Sequence, residues 1–159
     1  MKLRTAYSDE KSFVSMYQES IEVKPFQIIV WVGISLDRHL ESIPWFPTIL
    51  DTGNNHNFAI SPKHLSNWAK IQPKSLEPIK MMRMNKVAVP LVRAHLWLRT
   101  DSEPFELRCD DGIGISAASG FRLPILGLRA LTKSKLQVQI DGDTRRVLIR
   151  TPPPWYWPF

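Results

Sequence analysis

Phe46-Pro-Thr-Ile-Leu-Asp51-Thr-Gly53 is the stretch on which the reading of this chain turns. An apolar run delivers an aspartate, a hydroxyl and a glycine at its far end. Phe46 to Leu50 has the composition of a buried strand, and Asp51-Thr52-Gly53 that of a turn which ends it. Upstream, Phe26-Gln-Ile-Ile-Val-Trp-Val-Gly-Ile34 is a second strand of the same kind, set apart by the polar break from Asp37 to Ser42. Downstream, Ser61-Pro62 pairs a capping residue with proline at the first helical position. Leu65, Trp68 and Ala69 then supply an apolar face at helical spacing. Ile79 to Arg99 reads as a hairpin broken near Asn85-Lys86, with Pro90 marking an edge strand or bulge in its second arm. Phe105 to Cys109 is a short strand, Gly112 to Gly120 a loop of small residues, Arg122 to Gly127 another strand, and Leu128 to Lys135 a short helix. Leu136 to Ile140 and Arg146 to Ile149 flank Asp141-Gly142, a hairpin signal. The expected fold class is all-β with one or two short helices.

At 159 residues, 43% hydrophobic and 23% charged, the chain suits one domain with a real core, and is too short for two full catalytic lobes. A single cysteine, Cys109, excludes an intrachain disulfide and a cysteine-based zinc site. His39, His64 and His95 have no metal-ligand spacing with one another or with Cys109. Met1 to Glu10 has no apolar core of a signal peptide, and Phe26 to Leu36 is too short to span a bilayer. A cytoplasmic protein without membrane contact is expected. Residues 1–23 read as a polar arm, a short helix or a loosely ordered segment; residues 24–150 form the domain. Residues 151–159 are a proline and aromatic tail, Trp155 to Phe159, expected to pack on the core or across a subunit interface.

The net charge of +6 gathers at Lys63, Lys70, Lys74, Lys80, Arg83 and Lys86, and again at Lys133, Lys135, Arg145, Arg146 and Arg150. Nucleic acid or an acidic partner segment is what such a surface, if contiguous, could bind. Without an RNP, zinc-knuckle or helix-turn-helix pattern beside it, solvated surface charge is the preferred reading. Gly112-x-Gly114 lacks the strand-turn-helix setting of a dinucleotide site, so it reads as a loop. His56, five residues after Asp51, belongs to no serine-based triad and reads as a loop hydrogen-bonding group.

Two segments together resemble the retropepsin-like, or retroviral-type, aspartic proteases. Phe46 to Asn54 matches the hydrophobic strand running into Asp-Thr-Gly. Some seventy residues later Leu123-Pro-Ile-Leu-Gly127-Leu-Arg-Ala-Leu131 matches the family's second signature, two apolar residues and a glycine leading into a short helix. The resemblance covers about residues 24–150. It implies a closed, single-lobed β-barrel and an aspartic endopeptidase. Asp51 from two subunits of a homodimer would activate water, Thr52 would lock the two loops together, and Gly53 would admit substrate main chain. Asn54, Asn55, Leu126 and Gly127 would line the cleft, beneath a flap at Met84, Asn85, Lys86 and Val87. The substrate would be a peptide or protein, and no cofactor or metal is implied. The chain departs from the family at Asn54, where a small residue is usual, and at the hairpin tip, which has no glycine. A non-catalytic dimerisation or peptide-binding domain on the same fold is the alternative.

Overall fold

The computed structural model describes residues 1–84, 86–117 and 122–153. Asn85 and the aromatic tail residues Trp155 to Phe159 lie outside the described residues, as does part of the small-residue loop. Fourteen strands and two short helices follow one another in the order β1 (Lys2–Ala6), β2 (Ser12–Met16), β3 (Glu19–Val23), β4 (Ile28–Ser35), β5 (Phe46–Asp51), β6 (Phe58–Ile60), α1 (Pro62–Asn67), β7 (Pro78–Met84), β8 (Val87–Val92), β9 (His95–Leu98), β10 (Phe105–Leu107), β11 (Ile113–Ile115), β12 (Ile125–Gly127), α2 (Leu128–Lys133), β13 (Gln137–Asp141) and β14 (Arg146–Arg150). The chain is mostly β, as its composition predicts. No helix among the described residues is long and apolar enough to cross a membrane.

The strands expected from β-branched composition form where they are expected. β4 buries Ile28, Val30, Val32 and Ile34, and β5 buries Phe46 and Leu50. Helix α1 starts as its sequence signal requires: the Ser61 side chain accepts a hydrogen bond from the His64 N–H at 3.1 Å, with Pro62 opening the helix. The hairpin is narrower than the Ile79–Arg99 expectation. Its arms are β7 and β8, and the chain then leaves as β9 to pair with β4 and β10 on the far side of the sheet. Pro90 lies in β8 but not at a sheet edge. It is accommodated because β11 pairs with Leu91 and Val92 and stops short of it.

Among the described residues nine strands make the main sheet, in the order β10-β9-β4-β5-β12-β6-β11-β8-β7. Closing a sheet into a barrel requires every strand to be hydrogen-bonded on both edges. Among the described residues β10 and β7 each pair on one edge only, so closure into a barrel is not seen. A second sheet of three strands, β1-β14-β13, and the β2–β3 hairpin complete the fold.

The N-terminal segment is neither a helix nor a loose arm. Lys2 to Ala6 pairs antiparallel with Arg146 to Arg150, and Met16, Ile21 and Val23 belong to the same core as Val30, Leu126 and Ile149. The polar composition that suggested an arm reflects strands exposed on one face: along β1, exposed residues alternate with half-buried Leu3 and Thr5. The loop expected from Gly112 to Gly120 contains β11, which pairs parallel to β6 and antiparallel to β8.

Candidate active site

Strand β12 lies between β5 and β6, parallel to the first and antiparallel to the second. The chain leaving β5 must therefore cross the end of β12 to enter β6. Residues 52–57 make that crossing. In the β5–β12 register Gly127 stands opposite Asp51, so the two signature segments meet at one sheet end.

Short hydrogen bonds fold the loop back on itself. Asp51 Oδ1 accepts from the Gly53 N–H at 2.9 Å, and the Asp51 carbonyl from the Asn54 N–H at 3.2 Å. Asn54 Oδ1 accepts from the His56 N–H at 3.0 Å. The crossing is fastened to β12 and α2 by Gly127 N–H to the Asn57 carbonyl at 3.0 Å and Leu128 N–H to the Asn54 carbonyl at 2.9 Å. Such closeness demands glycine at 127, since a Cβ there would stand 1.8 Å from the His56 carbonyl oxygen. Position 53 is different: a Cβ would meet only Asp51 Oδ1, at 3.3 Å.

The expected site residues fall into three groups. Asp51 is half-buried, while Thr52, Gly53 and Asn55 are exposed at the crossing. Asn54, expected to line a cleft, is half-buried and spends its side chain and carbonyl on holding the loop. Leu126 is fully buried and its side chain belongs to the core, whereas Gly127 acts through its backbone. At the hairpin tip, Lys86 and Val87 are exposed, but Met84 is only 7% exposed and packs with Ala59 and Val89. The tip is thus pinned from its first arm, and Lys86 takes the turn in left-handed conformation at φ 69° without a glycine.

His56 is held below its ordinary pKa, first by burial and then by the Arg129 guanidinium. It lies in the wall of a cavity of about 240 Å³ with Asn57, Lys80, Met82, Asp111 and Arg129. Asp111 is an ionic hub: Arg129 bonds its Oδ2, Lys133 reaches the same oxygen at 2.7 Å, and Lys80 stands 3.6 Å from Oδ1. The Lys133 hydrogen bond leads in holding the Asp111 carboxyl below its usual range. Lys80 and Lys133 were legible only as members of two separate surface runs and Arg129 as a member of neither; strand, turn and helix bring the three together. Cys109 is no activated thiol, since burial pushes it up to about 12. Among the described residues, no three His, Cys, Asp or Glu side chains stand together to hold a metal.

Comparison with protein-family models and with curated protein sequences returns no match.

Proposed function

We propose that the chain is a retropepsin-like aspartic endopeptidase that hydrolyses peptide bonds as a homodimer. The observation that carries this reading is the crossing itself: Asp51 at the end of β5, opposite Gly127, with Thr52 and Gly53 exposed beside it. Peptide hydrolysis without a metal or a covalent intermediate needs one carboxylate to take a proton from water and one carboxyl to give a proton to the carbonyl oxygen. Two carboxyls held a few ångströms apart share one proton and titrate as a pair. The sequence has one Asp-Thr-Gly, so the second Asp51 comes from a second copy, with the exposed Thr52 hydroxyls bridging the loops. Gly53 leaves the main chain uncovered for an extended substrate.

Cleavage of a peptide library from acidic to neutral pH, with Asp51→Asn beside the wild type, tests the reading. Cleavage by the wild type that is abolished in a folded Asp51→Asn supports it. Cleavage retained by the variant moves the chemistry elsewhere. Peptide capture without cleavage by either protein favours the non-catalytic, peptide-binding alternative.

A further inference from the structure

Two cavities adjoin along the edge strand β7. The larger, about 720 Å³, takes in Ile79 and is walled by Arg38, Arg93, His95, Glu106, Arg108 and Asp110. The smaller, about 240 Å³, takes in the next residues of the strand, Lys80 to Met82, with Arg129, Asp111 and the His56-Asn57 end of the crossing. Gly112 lines both. Its carbonyl accepts from Asn57 Nδ2 at 3.2 Å, and it must be glycine because a Cβ there would stand 2.7 Å from the Val92 carbonyl oxygen. Sharing Gly112 and lined by successive residues of β7, the two cavities together form a trough from the Arg38 side to the loop that carries Asp51.

Charge along this trough is unbalanced. Arg38, Arg93, Arg108, Lys80 and Arg129 line it against three carboxylates, Glu106, Asp110 and Asp111. Adding the outlying partners Lys133 and Glu77 leaves the excess at two positive charges. The existing pairs are partly loose: Arg38–Glu106 and Arg93–Glu77 are each 3.6 Å long on exposed arginines, and Arg108 is exposed with no carboxylate partner among the described residues. Weakly engaged guanidinium groups retain donors for an incoming carboxylate, which they grip in bidentate fashion.

We infer that this trough is a binding site for an acidic segment of an extended polypeptide, one carboxylate side chain entering the smaller cavity at Lys80 and Arg129 and others meeting Arg108 and Arg93. The inference rests on the peptide-substrate reading of the Asp51 site and names the class of substrate. An extended chain suits the place, because β7 ends the nine-strand order and has one edge free of pairing among the described residues. The smaller cavity lies below the range of roughly 300–1,000 Å³ that takes whole small ligands, and its size suits a single side chain. A nucleic acid is the less favoured polyanion. The lining has one aromatic residue, Phe58, which is 1% exposed and offers no face for a base to stack on.

Fluorescence anisotropy on the Asp51→Asn chain tests this with three labelled probes. They are an extended peptide with regularly spaced glutamates, the same peptide with glutamines, and a single-stranded oligonucleotide of equal charge. The acidic peptide is expected to bind at least about tenfold more tightly than its glutamine counterpart, the difference one charge-assisted hydrogen bond carries. Affinity should fall in Arg129→Met, where Lys133 still holds Asp111, and in Arg108→Gln, which breaks no ion pair. Equal binding of the two peptides, or indifference to both variants, overturns the inference; tighter binding of the oligonucleotide replaces it with a nucleic-acid site. The hydrolysis reading fails separately. Acidic peptides bound but never cut by the wild type would sink the peptidase and keep the trough, while cleavage blind to acidic residues would do the reverse.

Discussion

Two glycines in the signature segments carry opposite kinds of constraint. Gly127 is needed for packing: adding a methyl group there drives it into the His56 carbonyl, which β12 and the crossing cannot both avoid. Gly127→Ala is expected to cost about 3 kcal/mol or more, at the upper end of overpacking penalties, seen as a lowered urea midpoint. At Gly53 a Cβ would meet only the Asp51 side chain, at 3.3 Å, and not backbone, so Gly53→Ala should move that midpoint far less and act chiefly on cleavage, through the position of Asp51. His64 sets a second residue-level constraint. It is 7% exposed, stacks on Trp68 at a centroid distance of 4.0 Å, and has an Nδ1 with no hydrogen-bond partner among the described residues. Burial above all, and Lys63 beside it, hold its pKa below 6.5, although Glu19 pulls the other way. The unfolded chain therefore takes up a proton before the folded chain does. The stability that depends on neutral His64 is fully present above about pH 6.5 and is lost as pH falls from there through the folded-state pKa. A His64→Phe variant, which keeps the stacking, should show a flatter fall of urea midpoint between about pH 7 and pH 5 than the wild type. An equal fall in both would place the acid sensitivity elsewhere.

At the scale of elements, legibility followed how local each decision was. β4 and β5 could be read because runs of β-branched residues are buried on both sides of a central strand, and α1 because its cap and proline are neighbours in sequence. β11 could not. Three residues with a glycine at the centre look like loop, and only the non-local ladders to β6 and β8 make Ile113 to Ile115 a strand. The crossing was legible as a motif, Asp51-Thr52-Gly53 with Gly127. The role of Asn54 as its fastener was not, since that depends on Leu128 arriving beside it. The same holds for the hairpin tip. Met84 reads as a flap residue by position, yet the fold turns it inward onto Ala59 and Val89. Met84→Ala is therefore expected to cost about 2 kcal/mol, near the low end for a buried methionine because its cluster is small. Hydrogen exchange should localise the change: the amides of β7 and β8 exchange faster while those of β4 and β5 keep their protection. Uniform acceleration across the sheet would mean that Met84 supports the whole core and not the hairpin.

For the whole molecule, the sequence contains one Asp-Thr-Gly, and the fold leaves its threonine and glycine at a surface. β1 closes the chain on itself by pairing with β14, and the β2–β3 hairpin joins the core, so the N-terminal residues are part of the body that carries the crossing. That integration was hidden by their polar composition, which a half-exposed strand shares with a disordered arm. The basic runs misled in a similar way. Lys80 is distant in sequence from Arg129 and Lys133, which are one helical turn apart on α2, and meets them only because β7, the Asp111 turn and α2 converge. On the proposed reading, activity belongs to the pair of chains and not to either one. Wild type mixed with an equal amount of Asp51→Asn, and left to exchange partners, should then lose activity although no wild-type chain is removed. With random pairing, each wild-type chain finds another in about half of its encounters, and activity per wild-type chain falls to about half. A monomeric enzyme, or one in which a single Asp51 suffices, shows no fall. Diluting the wild type separates those two cases: specific activity that declines with concentration marks a dimer whose chemistry needs one carboxylate, and a constant value marks a monomer.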